Sequence, residues 1–178
     1  HALRASSSAR LAGLTRWRIG RIALTALMHR INPGIIPEYV ARKRVLASIA
    51  SAAVEQGIGQ VLLLGSGFDA LGLQLARAYP AHRVVEIDSE PVLACKREAL
   101  RHLGEAPPNL GSVALDLTTP DWHEALLAQD LIAAGTPLLT VIEGVTMYLP
   151  PARVEALFAT LGALAGGRAQ VAFTFLDL

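Results

Sequence analysis

Val61–Leu64 is a run of four apolar residues that passes straight into Gly65-Ser66-Gly67, with the acid Asp69 two positions further on. An apolar run of this length that halts at glycine reads as a strand buried on both faces and feeding a tight turn. Gly65 and Gly67 carry no Cβ, tolerate positive φ and let backbone approach a ligand closely. About twenty residues downstream, a second apolar run ends in Glu86-Ile87-Asp88, and an acid at that point is where such folds hold a ribose diol. Together the two segments form a nucleoside-cofactor signature.

The rest of the chain repeats the same grammar. Apolar positions from Leu11 to Met28 imply a helix over 9–30, broken by Asn32-Pro33-Gly34. A second helix is expected over 37–56, with Pro37 in its first turn and Gly57 past its end. Strands over 61–64, 83–87, 112–116, 138–142 and 169–176 then alternate with helices over 70–79, 90–103, 121–134 and 151–165. This βα repetition implies a Rossmann-like α/β fold, a parallel sheet with helices on both faces and right-handed crossovers. The expected organisation is a single domain, with an N-terminal helical cap over 1–56 contributing to the cofactor site and a binding core over 57–178. Ligands in such sheets sit at the carboxyl ends of the strands, near the topological switch point. Gly65–Asp69, Asp88, Asp116 and Glu143 all fall at carboxyl ends, so four separate segments converge on one rim.

Composition narrows the class further. With 178 residues, 52% of them apolar and 17% charged, the chain can bury a real core as a soluble α/β protein. The single cysteine, Cys95, excludes an internal disulfide and a multi-cysteine zinc site. It lies within a helical pattern and is read as a small buried filler. The lack of structural disulfides suits a cytoplasmic setting. His82, His102 and His123 have no metal-ligand spacing and are read as surface or capping residues. Charge is asymmetric: residues 1–44 hold nine Arg/Lys against Glu38 alone, and residues 45–178 hold seven against fourteen acids. A basic arm on an acidic body could meet an anionic partner, but a solvated helical face explains it more simply. The arm also has the composition of a transit peptide, and the chain begins at His1; it is read here as part of the fold. No apolar run approaches the roughly 18–20 residues of a membrane span.

The acids decide which nucleoside. A dinucleotide site would show Gly-x-Gly-x-x-Gly, but the third glycine, Gly72, comes two residues late. Asp69 stands where a pyrophosphate would lie. A carboxylate repels that group and attracts an amine or sulfonium, although Asp69 could equally cap the helix that follows. A short-chain dehydrogenase would need Tyr-x-x-x-Lys, and Ala152 follows Tyr148 at that spacing. Asp88 could accept from two ribose hydroxyls or cap the helix over 90–103. Asp116 with Leu117 could accept from an adenine amino group and pack its ring, or simply form a turn. Glu143 follows six mostly apolar residues, where a carboxylate is costly to bury unless it binds something.

Gly65-Ser66-Gly67-Phe68-Asp69, Glu86-Ile87-Asp88, Ala114-Leu115-Asp116-Leu117 and Glu143-Gly-Val-Thr-Met-Tyr-Leu149 resemble the leucine carboxyl methyltransferase family over roughly residues 35–160. The resemblance implies a class I methyltransferase fold and an S-adenosylmethionine-dependent O-methyltransferase, with relatives acting on natural-product carboxylates. Tyr39-Val40-Ala41-Arg42 matches the family's arginine motif. The resemblance therefore implies that Arg42, with Arg44 as fallback, pairs with the methionyl carboxylate. It further implies that Gly65 and Gly67 line the methionine moiety, with Ser66 and Asp69 in the same cofactor-binding turn, and that Asp88 holds the ribose. Asp116 and Leu117 would take the adenine, Glu143 the methionyl amino group or a nearby water, and Tyr148 would face the substrate.

The family continues through two further strands and a substrate-covering insertion beyond the point where this sequence stops. The strand over 169–176 would otherwise present an apolar edge. The chain is accordingly expected to be part of a longer protein, or a protomer that borrows its missing edge. A carboxylate acceptor is already ionised at neutral pH, so proximity and alignment would suffice without a general base. The alternatives are a methyltransferase-like scaffold that no longer catalyses and, disfavoured by Asp69 and Ala152, an NAD-dependent oxidoreductase. Aromatic stacking platforms for nucleic acid are lacking.

Overall fold

The computed structural model describes residues 34–104 and 106–175, together with Ile22, Ala26 and Arg30. The helix expected over 9–30 therefore lies almost wholly outside the described residues; the three residues described there are helical. The chain divides into two units, His1–Val45 and Leu46–Leu178.

Helix α1 (Ile35–Glu55) crosses that boundary, with Glu38 in its first turn. Its end is a Schellman motif: Ile58 N–H donates to the Ala53 carbonyl at 3.1 Å and Gly57 N–H to Val54 at 3.0 Å. Gly57 takes φ +95°, which glycine adopts without strain. The chain then enters β1 (Gln60–Leu64), α2 (Leu71–Ala78), β2 (Arg83–Asp88) and α3 (Glu90–His102). Next come β3 (Leu110–Ala114), α4 (Glu124–Ala128), β4 (Leu138–Ile142), a 3-10 turn over Thr146–Tyr148, α5 (Pro151–Leu164) and β5 (Ala169–Phe173).

The five strands form one sheet in the order β3-β2-β1-β4-β5, every pair parallel. β1 lies at the centre, with Leu63 opposite Glu86 on one side and Val141 on the other. The connection from β3 to β4 passes to the far side of β1, so the switch point lies between β1 and β4. Both strands are buried at every residue. Their period-two alternation feeds two cores. Val61 and Leu63 meet Leu46, Ala50 and Val54 of α1 and Leu71 and Leu75 of α2. Leu62 and Leu64 face the opposite side, with Trp122, Leu126 of α4, and Leu157 and Leu161 of α5. The doubly wound α/β architecture follows from that split.

Four local expectations change. β3 starts and stops two residues early, because Asn109 anchors its entry by donating to the carbonyls of Ala76, Tyr79 and His82 at 3.1, 3.2 and 2.9 Å. Asp116 and Leu117 therefore lie in the loop beyond the strand. α4 is a five-residue helix rather than a run over 121–134. Asp130 takes φ +50°, a left-handed conformation that aspartate tolerates, and Leu131 N–H bonds the Leu126 carbonyl at 3.0 Å. β5 ends at Phe173 because Thr174 turns to the loop after β4: its Oγ1 accepts from Gly144 N–H at 2.8 Å and its carbonyl from Thr146 Oγ1 at 2.9 Å. Cys95 is exposed, not a buried filler, since α3 buries Leu93 and Lys96 and turns Cys95 away from them.

Candidate functional site

The turn after β1 is pinned sideways to the end of β2. Gly65 N–H and Ser66 N–H both donate to the Ile87 carbonyl, at 2.8 and 3.0 Å, and Asp69 N–H closes the turn on the Ser66 carbonyl at 3.1 Å. Gly65 takes φ +66°, and a Cβ placed on it would stand 2.3 Å from Val145 Cγ2 in the loop after β4. Gly67 takes φ +50° with open space where a Cβ would lie. Its N–H donates to Asp88 Oδ2 at 2.7 Å, while Asp88 Oδ1 accepts from Ser89 N–H at 2.7 Å. Asp88 is thus oriented by backbone from both sides. A carboxylate offers about four lone-pair sites; Ser89 Oγ takes a third through a longer bond to Oδ1 at 3.3 Å, so one stays open and a second opens if that hydroxyl rotates away.

Beside this turn opens a cleft of about 470 Å³, lined by Gly65, Asp88, Ser89, Glu90, Ala114, Leu115, Asp116, Leu117 and Thr118. That size is ordinary for a small-molecule site. Four of the sequence-derived site residues, Gly65, Asp88, Asp116 and Leu117, line it together. Ser66 is buried, is not among the cleft-lining residues, and its Oγ has no hydrogen-bond partner within the protein. Asp69 Oδ1 accepts from Leu71 N–H at 3.2 Å, an Asx turn leading into α2; the N-cap position itself is Ala70, so Asp69 is not the N-cap residue. Asp116 Oδ1 accepts from Thr118 N–H at 2.8 Å and Thr118 Oγ1 at 2.7 Å. The Thr118 side-chain and backbone bonds hold its carboxyl below the usual range. Asp116 thus forms a turn and lines the cleft at once.

Glu143 follows β4 directly and is half-buried; it is not among the cleft-lining residues. Tyr148 closes the 3-10 turn and is 79% exposed, with Met147 and Phe68 also presenting apolar surface. Arg42 lies in the first unit, where it pairs with Glu38 at 2.6 Å and stands 5.5 Å from the Tyr39 ring centroid. Among the described residues no group of three or more His, Cys, Asp and Glu could hold a metal ion, and no helix is long and apolar enough to cross a membrane.

Sequence reasoning missed one charged pair. Glu86 sits on β2 two residues before Asp88, 2% exposed, and Lys96 Nζ of α3 reaches its Oε1 at 2.9 Å. Burial raises the Glu86 carboxyl above its ordinary value; Lys96 opposes that, and the charges of Asp69 and Asp88 add to it. The signal available was an acid inside a buried strand, with a lysine ten residues later at a helical core position. The sign of the pH effect follows. An acid whose folded value is raised contributes most stability below its unfolded value of 4.5 and loses it as pH rises through the folded value. Glu86→Gln should therefore gain on the wild type in melting temperature as pH climbs above 4.5. Parallel melting curves that keep a constant gap across pH would refute this.

The parallel sheet, its β1–β4 switch point and the glycine turn bonded to the acid that ends β2 define the Rossmann-like fold of methyltransferases. The model of the family described as leucine carboxyl methyltransferase matches residues 3–162, and the chain belongs to that family. It is 39% identical over 134 residues to a Mycobacterium sp. (strain KMS) protein named "Putative S-adenosyl-L-methionine-dependent methyltransferase", covering 74% of this chain and 43% of the relative. The chain thus spans less than half of that relative's length. Among solved structures, a "putative methyltransferase" from Thermobifida fusca YX superposes with a TM-score of 0.63 at 26% identity, over 87% of this chain and 59% of the other. A DUF574 family protein from Streptomyces avermitilis shares the fold, with a TM-score of 0.60 at 21% identity over 88% of this chain and 62% of the other.

Proposed function

We propose that this chain carries the S-adenosylmethionine site of an O-methyltransferase that acts on a carboxylate of a small molecule, a natural product or a protein C-terminus. The observation that carries the reading is the acidic, glycine-lined rim. Asp88 is fixed with spare acceptor capacity beside an open cleft, and Asp69 stands at the glycine turn where a pyrophosphate would be repelled. Family membership and the Mycobacterium relative's name point the same way.

When bound, S-adenosylmethionine supplies an electrophilic methyl group on a sulfonium. In this reading Asp88 accepts from the ribose hydroxyls, while Leu117 and Asp116 take the adenine face and edge. The glycine turn, with the Ser66 hydroxyl and Asp69, lies along the methionyl portion. Glu143 serves the methionyl ammonium or a water beside it, and Arg42 pairs with the methionyl carboxylate. The Arg42 role rests on the Tyr39–Arg42 motif. Tyr148, with its exposed ring, faces the acceptor. A carboxylate acceptor is already ionised at neutral pH, so these residues need only orient it and exclude water.

Titration calorimetry of the chain with S-adenosylhomocysteine tests the cofactor half of this reading. Saturable binding at one site per chain is expected, with none for NADH. Absence of heat with a folded chain would reject it and favour a scaffold that has lost catalysis. Assays of carboxylate and hydroxyl acceptors on the complete protein test the other half.

A further inference from the structure

Glu86 and Lys96 sit where a packing role alone would not place them. Both are almost fully buried, at 2% and 8% side-chain exposure, in a neighbourhood that already holds Asp69 and Asp88. A buried ion pair is often no more stabilising than apolar side chains of the same volume. Two more carboxylates nearby make this one costlier still.

Its position in the chain suggests what offsets the cost. The glycine turn 65–70 leads directly into α2, and Asp88-Ser89 leads directly into α3. Glu86 lies between those helices. Gly72 in the first turn of α2 leaves the space its carboxylate fills, since a Cβ there would stand 2.1 Å from Oε1. On the other side the same oxygen accepts from Lys96 of α3 at 2.9 Å. Glu86 and Asp88, two residues apart on β2, share a face of the sheet. One side chain therefore touches both helices whose leading loops supply Gly65, Asp88 and Ser89 to the cleft.

We propose that the Glu86–Lys96 bridge is a positioning strut: it fixes the spacing between the glycine turn and Asp88, and through them the affinity for the nucleoside half of the cofactor. The strut rests on the cofactor reading above. Its action depends on reach and on the hydrogen bond, with Gly72 as the socket.

S-Adenosylhomocysteine affinity and melting temperature, measured together on the same chains, test it. Glu86→Leu/Lys96→Met should melt at or above the wild-type temperature yet bind about tenfold more weakly. Glu86→Asp keeps the charge but loses a methylene of reach, and should also lose about tenfold. Glu86→Gln keeps reach and acceptor, and should stay within about threefold of wild type. A double variant that binds like the wild type overturns the strut, as does a loss of affinity matched by a fall in melting temperature. Should the double variant fail to fold, equal affinities of Glu86→Asp and Glu86→Gln overturn it. Failure of the wild type itself to bind would instead reject the cofactor reading.

Discussion

Asp88→Ala should weaken S-adenosylhomocysteine binding about a hundredfold while leaving the fold in place. Hydrogen bonds to a charged acceptor are worth about 1.5–3 kcal/mol each, and two ribose hydroxyls would lose theirs. A net loss of about 3 kcal/mol corresponds to roughly two decades in affinity. The substitution also releases Gly67 N–H, so the turn loses the bond that orients it at 2.7 Å. Asp88 is only half-buried at the end of its strand, so stability should change by about 1 kcal/mol or less. Asp88→Asn, which keeps one acceptor oxygen, should fall between the two. Calorimetry and thermal melts separate these effects, and an Asp88→Ala chain that binds within threefold of wild type would remove the ribose role.

Gly65→Ala should be the most destabilising single-methyl change in the turn. An alanine at φ +66° costs about 1–2 kcal/mol in backbone strain. Its Cβ would also meet Val145 Cγ2 at 2.3 Å, and overpacking costs typically about 1–3 kcal/mol more. A total near 3 kcal/mol lowers the melting temperature by about 6–12 °C for a chain of this size. Gly67→Ala shares the positive φ but meets open space, and should cost only the strain. Adding Val145→Ala to Gly65→Ala removes the clash and leaves the strain, so it should recover part of the drop. Equal melting temperatures for the Gly65 and Gly67 variants would show that the loop after β4 yields to the methyl group.

These two glycines mark the border between what could be read locally and what could not. In the sequence they are equivalent members of one Gly-x-Gly, and both were expected to approach a ligand. Only Val145, eighty residues away, separates them. Asp116 shows the same limit from another direction. Its place near β3 was legible, but the two-residue shift of the strand was not, because Asn109 binds carbonyls 27 to 33 residues earlier. α4 looked long because its apolar residues continue past Ala128, and one left-handed aspartate ends it.

The order of strands and helices, the glycine turn and the acid ending β2 were determined by the sequence alone. Hydrophobic period, glycine and chain direction act over a few residues, and a parallel βα fold has few ways to arrange them. The tertiary structure alone decided which glycine is pressed and which is open, and that Asp88 is held by Gly67. Each of these depends on an atom from a distant segment arriving within contact distance, and pairings of that kind leave no local periodicity to read.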